Sequence, residues 1–139
     1  MIEVVNRQRY RKMGLRTWEN FTAQALKAIG VNRQSATIAF VSSRRMRQLN
    51  KRYRGIDGST DVLSFPNGGD LVDDKSNLGD IAIAVDQAEN QARQNGLEFE
   101  QEIAQLILHG LLHLCGYDHE TDRGEMNRLE LRLRKKLSI

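Results

Sequence analysis

The stretch from Phe99 to Cys115 limits what this chain can fold into more than any other. On a helix drawn through it, Phe99, Ile103, Leu106, Ile107, Leu111 and Leu114 cover one side and Ala104, Leu108 and Leu112 a second. Glu102, Gln105, His109 and His113 remain as a narrow polar stripe. A helix apolar on nearly all sides belongs in the core, so this one is expected at the centre of the fold, its stripe opening into a cleft. His109 and His113 are four residues apart and stand one above the other on the same face. Gly116 suits the left-handed position just past a helix end, which reverses the chain and returns His119 toward the pair.

These are the chain's three histidines. Three neutral imidazoles with one position left for water form a ligand pattern of catalytic zinc. The expected metal ligands are therefore His109, His113 and His119, holding one zinc ion per chain on the central helix. One histidine on an apolar helix is usually a satisfied core residue; the helical pair, the glycine and the third histidine together favour metal. The spacing His-xxx-His-xx-Gly-xx-His is also that of the metzincin proteases, whose signature places a general-base Glu directly after the first His. Gly110 stands there instead, so the cage is read as serving a different reaction. Cys115, the one cysteine, cannot form an internal disulfide. It points about 200° around the helix from His113 and reads as a small core residue.

The length of 139 residues fits a single domain spanning 1–139. No apolar run approaches the roughly 20 residues that span a bilayer, and the Met1-Ile-Glu-Val-Val start does not read as a signal peptide. A soluble, cytoplasmic protein is expected. The net charge of +3 hides an asymmetry: residues 1–56 hold thirteen Lys/Arg against Glu3 and Glu19, and residues 57–139 hold eight against sixteen acidic residues. Arg44, Arg45, Arg47, Lys51, Arg52 and Arg54 crowd one short stretch. Such a stripe attracts phosphates, and a solvated helix face balanced by the acidic half explains it equally well.

The remaining elements follow in order. Ile2–Val5 reads as a strand and 7–16 as a polar connection. Thr17 offers a cap to a helix carrying Trp18, Phe21, Ala25 and Ile29, closed by Gly30. Thr37–Val41 is a strand; Ser42 and Ser43 cap a second helix whose inward stripe is Met46, Leu49 and Tyr53. Arg45 and Arg52 share one outer face of that helix, as do Arg44, Gln48 and Lys51, making one side cationic. Residues 55–58 are turn chemistry, and Val62–Phe65 is a strand stopped by Pro66. A polar loop over 67–77 leads to a strand over Leu78–Val85. Asp86 with Glu89 resembles a capping box for a short helix that Gly96 closes. Asp122 with Glu125 opens a final amphipathic helix through Met126, Leu129, Leu133 and Leu137. The order predicts an α+β fold: a small mixed, partly parallel sheet of about four strands packed with about five helices.

The run His109-Gly-Leu-Leu-His-Leu-Cys-Gly-Tyr-Asp-His119-Glu resembles the signature of the bacterial YbeY family. Leu49–Asp57, Thr60–Pro66 and Leu78–Ile81 are each similar to a family block and stand in family order. The N-terminal third is similar in layout alone. Ser59 replaces a proline and Cys115 an apolar residue common in the family, and neither is a ligand. The resemblance implies a zinc-dependent endoribonuclease acting on single-stranded RNA. It further implies work in ribosomal RNA maturation, notably at the small-subunit 3′ end, and in ribosome quality control. Partners would be ribosomal RNA and the ribosome or its proteins, with no membrane and no DNA.

The family's arginine associated with activity maps onto Arg54, whose planar fork grips phosphate in a bidentate way. Arg44, Arg45, Lys51 and Arg52 are the candidate RNA-binding residues. With Tyr53 and Tyr117 as the aromatics near the groove, RNA contact would rest mainly on charge. With no Glu after His109, solvent, Asp80 and the metal itself stand open as proton acceptors. Two other readings use the same residues. One is a non-catalytic ribosome-assembly factor that binds RNA and carries a structural metal; the other is a metzincin-like metalloprotease, disfavoured by Gly110.

Overall fold

Alternation within the strands decides which elements meet. In β2 (Ser35–Val41), Ala36, Ile38 and Phe40 turn to one side while Ala39 and Val41 turn to the other, and both sets are apolar. A strand apolar on both faces must be covered on both. The computed structural model describes residues 1–31, 35–66, 77–118 and 120–139. Around β2 it places β1 (Ile2–Asn6), α1 (Leu15–Ile29), α2 (Ser43–Arg54), β3 (Val62–Pro66), β4 (Asn77–Ala84), α3 (Val85–Asn95), α4 (Phe99–Leu114) and α5 (Glu125–Leu137). The sheet order is β1-β2-β4-β3; β1, β2 and β4 run parallel and β3 antiparallel to β4. The expected α+β architecture, with four strands and five helices among the described residues, is what the chain adopts. Among the described residues no helix is long and apolar enough to cross a membrane.

On one face, Ile38, Phe40, Ile81 and Ile83 meet Ile103, Ile107 and Leu111 of α4, together with Trp18 and Leu26 of α1. Each fully buried side chain of this size contributes about 1.5–3 kcal/mol by leaving water. Leu108 and Leu112 face away from the sheet and pack on Met126 and Leu133 of α5. Helix α4 is thus enclosed on both of its apolar sides, as its sequence predicts. The opposite sheet face is covered by α2 through Met46, with Val41, Leu63, Ala82 and Ala84 beneath.

Several local expectations give way. Thr17 lies inside α1, which begins one turn earlier behind Gly14 without a side-chain cap; its first residues are exposed, so water satisfies their N–H groups. Asp86 does not cap α3. Its Oδ1 accepts from the Ser43 backbone N–H at 2.9 Å and from the Ser43 hydroxyl at 2.7 Å, tying the start of α2 to α3. Ser42 does cap α2, accepting from the Arg45 N–H. Tyr53 is not inward: it is 58% exposed, and Asn50 takes the buried place one turn after Met46. Asn50 donates from Nδ2 to the Gly58 carbonyl at 2.9 Å, so this buried amide anchors the following turn. Pro66 ends β3 as a member of it, paired with Gly79; on an edge strand its missing N–H is tolerated. The expected loop over 67–77 lies outside the described residues except for Asn77, which opens β4.

The tightest approach of α4 to the sheet is at Gly110. A Cβ added there would lie 2.9 Å from Cδ1 of Ile81, a fully buried side chain. Gly110→Ala should therefore destabilise the fold by up to about 2 kcal/mol, crowding costing about 1–3 and Ala's better helix propensity returning about 1. Chemical denaturation of the two proteins measures this, and an Ala variant more stable than the parent would refute the tight contact.

Candidate functional site

The polar stripe of α4 opens, as its pattern predicts, into a cleft of about 500 Å³. His109 and His113 line it from the helix, Arg54 from the end of α2, and Ser64 and Pro66 from β3. The structure therefore brings Arg54 to the same hollow as the two helical histidines. His119 lies outside the described residues.

Each of the two imidazoles is oriented from behind. Nδ1 of His109 is 2.8 Å from Oε1 of Glu130, which α5 brings across α4. Nδ1 of His113 is 3.0 Å from the Tyr117 carbonyl oxygen. That carbonyl is available because Gly116, at φ 97°, reverses the chain, and the Tyr117 N–H returns to Leu112. A carbonyl and a carboxylate can only accept, so each Nδ1 is the ring nitrogen placed to donate and each Nε2 is turned toward the cleft. Those Nε2 atoms are 3.0 Å apart. Two ring nitrogens at that separation can share a proton or a cation between them. The separation is near the roughly 3.3 Å expected between two ligand nitrogens of a tetrahedral ion with Zn–N of about 2.0–2.1 Å. Donation of the remote ring N–H to a carboxylate or carbonyl is the usual support for a metal-ligating histidine. His109 and His113 could therefore supply two nitrogen ligands to a metal ion. Among the described residues no set of three His, Cys, Asp or Glu side chains converges as ligands.

Glu130 was not read from the sequence as part of the site. Burial alone would raise its carboxyl, but the His109 hydrogen bond and the charges of His109, Arg134 and His113 outweigh that and hold it below the ordinary range. Its signal was present: it sits four after Met126 and three before Leu133, a charge in an apolar stripe. Asp61, Asp118 and Glu120 also line the cleft. Asp80 does not; it is exposed on the opposite side of the sheet, because β4 alternates and Ile81 takes the α4 side. Arg44, Arg45, Lys51 and Arg52 are exposed along α2. Arg45 bonds Gln48 at 3.0 Å, and Arg52 stands 5.4 Å from the Tyr53 ring centroid. These four are not among the residues lining the cleft. Cys115 is half-buried, and burial pushes its thiol up, as suits an inert packing residue.

Residues 3–138 match the profile of the family described as Endoribonuclease YbeY. A protein of that name from Koribacter versatilis is 47% identical over 119 residues, covering 86% of this chain and 74% of the relative. One from Aquifex aeolicus is 41% identical over 116 residues, covering 84% and 75%. One from Solibacter usitatus is 52% identical over 94 residues, 68% of this chain and 60% of the relative. The solution structure of a protein from Thermotoga maritima superposes with a TM-score of 0.67 at 27% identity, covering 99% of this chain and 89% of that one.

Behind His109, the same stripe continues into a second hollow lined by Asp61, Gln91, Glu102 and Arg134. With its amide nitrogen turned toward the carboxylates, Gln91 donates to Asp61 at 3.0 Å and to Glu102 at 3.1 Å. Burial, and then the Asp61 charge, raise the Glu102 carboxyl, with Arg134 opposing. A carboxyl raised on folding holds its proton longer in the folded state, so its stabilisation is full below the unfolded value. It is lost as pH rises through the folded value. Glu102→Gln keeps an acceptor for Gln91 and removes the charge. The variant should melt above the parent at pH 7, the gap narrowing as pH falls and gone below about 4.3, the ordinary glutamate value. Thermal melts across pH check this; a gap independent of pH would refute it.

Proposed function

The chain belongs to the YbeY endoribonuclease family, and from that membership and its cleft we propose that it is a zinc-dependent endoribonuclease cutting single-stranded RNA. Its work is ribosomal RNA maturation, notably at the small-subunit 3′ end, and ribosome quality control, in the cytoplasm, alongside the ribosome or its proteins. The observation that carries the reading is the pair of imidazoles, each oriented from behind, facing Arg54 across one cleft.

His109, His113 and His119 would hold the metal, which supplies Lewis acidity for the phosphodiester and for its attacking water. Glu130 and the Tyr117 carbonyl fix the two rings so that Nε2, not Nδ1, faces the cleft. Arg54 donates to the non-bridging phosphate oxygens, where negative charge grows as the water oxygen bonds to phosphorus and the ester bond breaks. Asp61, Asp118 and Glu120 are the cleft carboxylates that can take the water's proton, in place of Asp80. The exposed cations of α2 hold the backbone on its way to the cleft. The protease alternative meets a steric obstacle: the position where it needs a glutamate is Gly110, pressed against Ile81.

Protein purified without chelators should carry about one equivalent of zinc, and Glu130→Gln should weaken metal affinity roughly 10- to 100-fold. Elemental analysis and competition with a chromogenic chelator measure both; protein that retains no metal would sink the cage. His113→Ala should keep RNA binding and lose cleavage, whereas unchanged ribosomal RNA processing in cells would favour a non-catalytic assembly factor. Arg54→Ala should lower the cleavage rate more than affinity. Neutralising Arg44, Arg45, Lys51 and Arg52 should weaken binding to all sequences alike, each lost contact reducing the salt slope by roughly 0.7. An unchanged slope would make the stripe a solvated face.

A further inference from the structure

The sheet face opposite α4 stays open beside the last turn of α2, as a groove of about 450 Å³. Ala39, Val41 and Ala82 line it from the sheet, with Tyr53 and Phe65 beside them. The Tyr53 ring meets Phe65 edge to face, centroids 5.3 Å apart and planes at 68°, and Arg52 stands over it. The ring is thus held in place while the residue remains 58% exposed. Tyr53 and Arg54 are consecutive, as are Ser64 and Phe65, and within each pair one residue lines this groove and the other the histidine cleft. The two hollows are separated by a single edge strand, β3.

The occupant that fits such a groove is a flat apolar group attached to a polyanion. Arg44, Arg45, Arg47, Lys51, Arg52 and Arg54 are all exposed on the helix that borders it, so the surroundings favour negative charge while the lining favours an aromatic face. Asp80 also lines the groove; it disfavours a phosphate there but accepts from a base amino group or a 2′-hydroxyl. We propose that Tyr53, braced by Phe65, is a stacking platform for an unpaired base of the RNA strand whose scissile phosphate lies in the histidine cleft. This deepens the nuclease reading and rests on it. Stacking is tolerant of sequence, because every base has a π-face, and the neighbouring arginine adds a cation–π contribution. RNA contact would then rest on an aromatic platform as well as on charge.

The test is a titration of the full chain into single-stranded RNA carrying 2-aminopurine at successive positions, read before cleavage sets in. Quenching should appear at one position with the parent protein and Tyr53→Phe, and vanish with Tyr53→Ala and Tyr53→Leu, the latter keeping apolar bulk against Phe65. Both non-aromatic variants should bind RNA roughly 5- to 150-fold more weakly, with an unchanged salt slope, since the lost group is uncharged. Variants that melt as the parent does yet bind with its affinity, leaving the probe unquenched throughout, would overturn the platform. A parent dimer that Tyr53→Ala dissociates would make the groove a self-interface and overturn it too. A parent protein that binds no single-stranded RNA would instead remove the nuclease reading on which the platform depends.

Discussion

Helix α4 lies against the sheet on one side and against α5 on the other, and a helix so enclosed can send polar side chains in one direction only. The site follows from that constraint. His109 and His113 point where the apolar packing leaves an opening, and what orients them comes from elements that the same packing brings close. Glu130 arrives because α5 must cover Leu108 and Leu112. The Tyr117 carbonyl arrives because the chain reverses at Gly116 as soon as α4 ends. Gly110 completes the arrangement from the sheet side, since its lack of a side chain lets the helix settle on Ile81.

Charge is divided between the two sides of the sheet. The cations of α2 are exposed, while Asp61, Asp118 and Glu120 line the histidine cleft with Arg54 as the cation facing them. A phosphate drawn to α2 by its field would meet carboxylates on entering the cleft. A divalent ion between the imidazoles reverses that local sign, which is why, on the proposed reading, attraction and reaction belong to different parts of one path.

Where one residue type at one spacing has a single cheap solution, the sequence was legible. The buried helix, the histidine pair at i and i+4, the turn at Gly116 and the four-strand, five-helix layout all belong to that class. What was not legible depended on contacts between segments far apart in sequence. Asp86 looked like a local cap but serves Ser43, forty-three residues earlier. Tyr53 had the spacing of an inward residue, yet it stays exposed, its ring set against Phe65 of the edge strand. Asp80 lay among family-like residues, and strand alternation put it on the wrong side for the cleft. Glu130 was the costliest omission: a buried glutamate in an apolar stripe needs a partner, and the partner was the histidine already singled out.

Helix α5 packs on both α1 and α4, and it carries the acceptor behind His109. The orientation of that ring is therefore set by one helix–helix contact as much as by the helix that bears it.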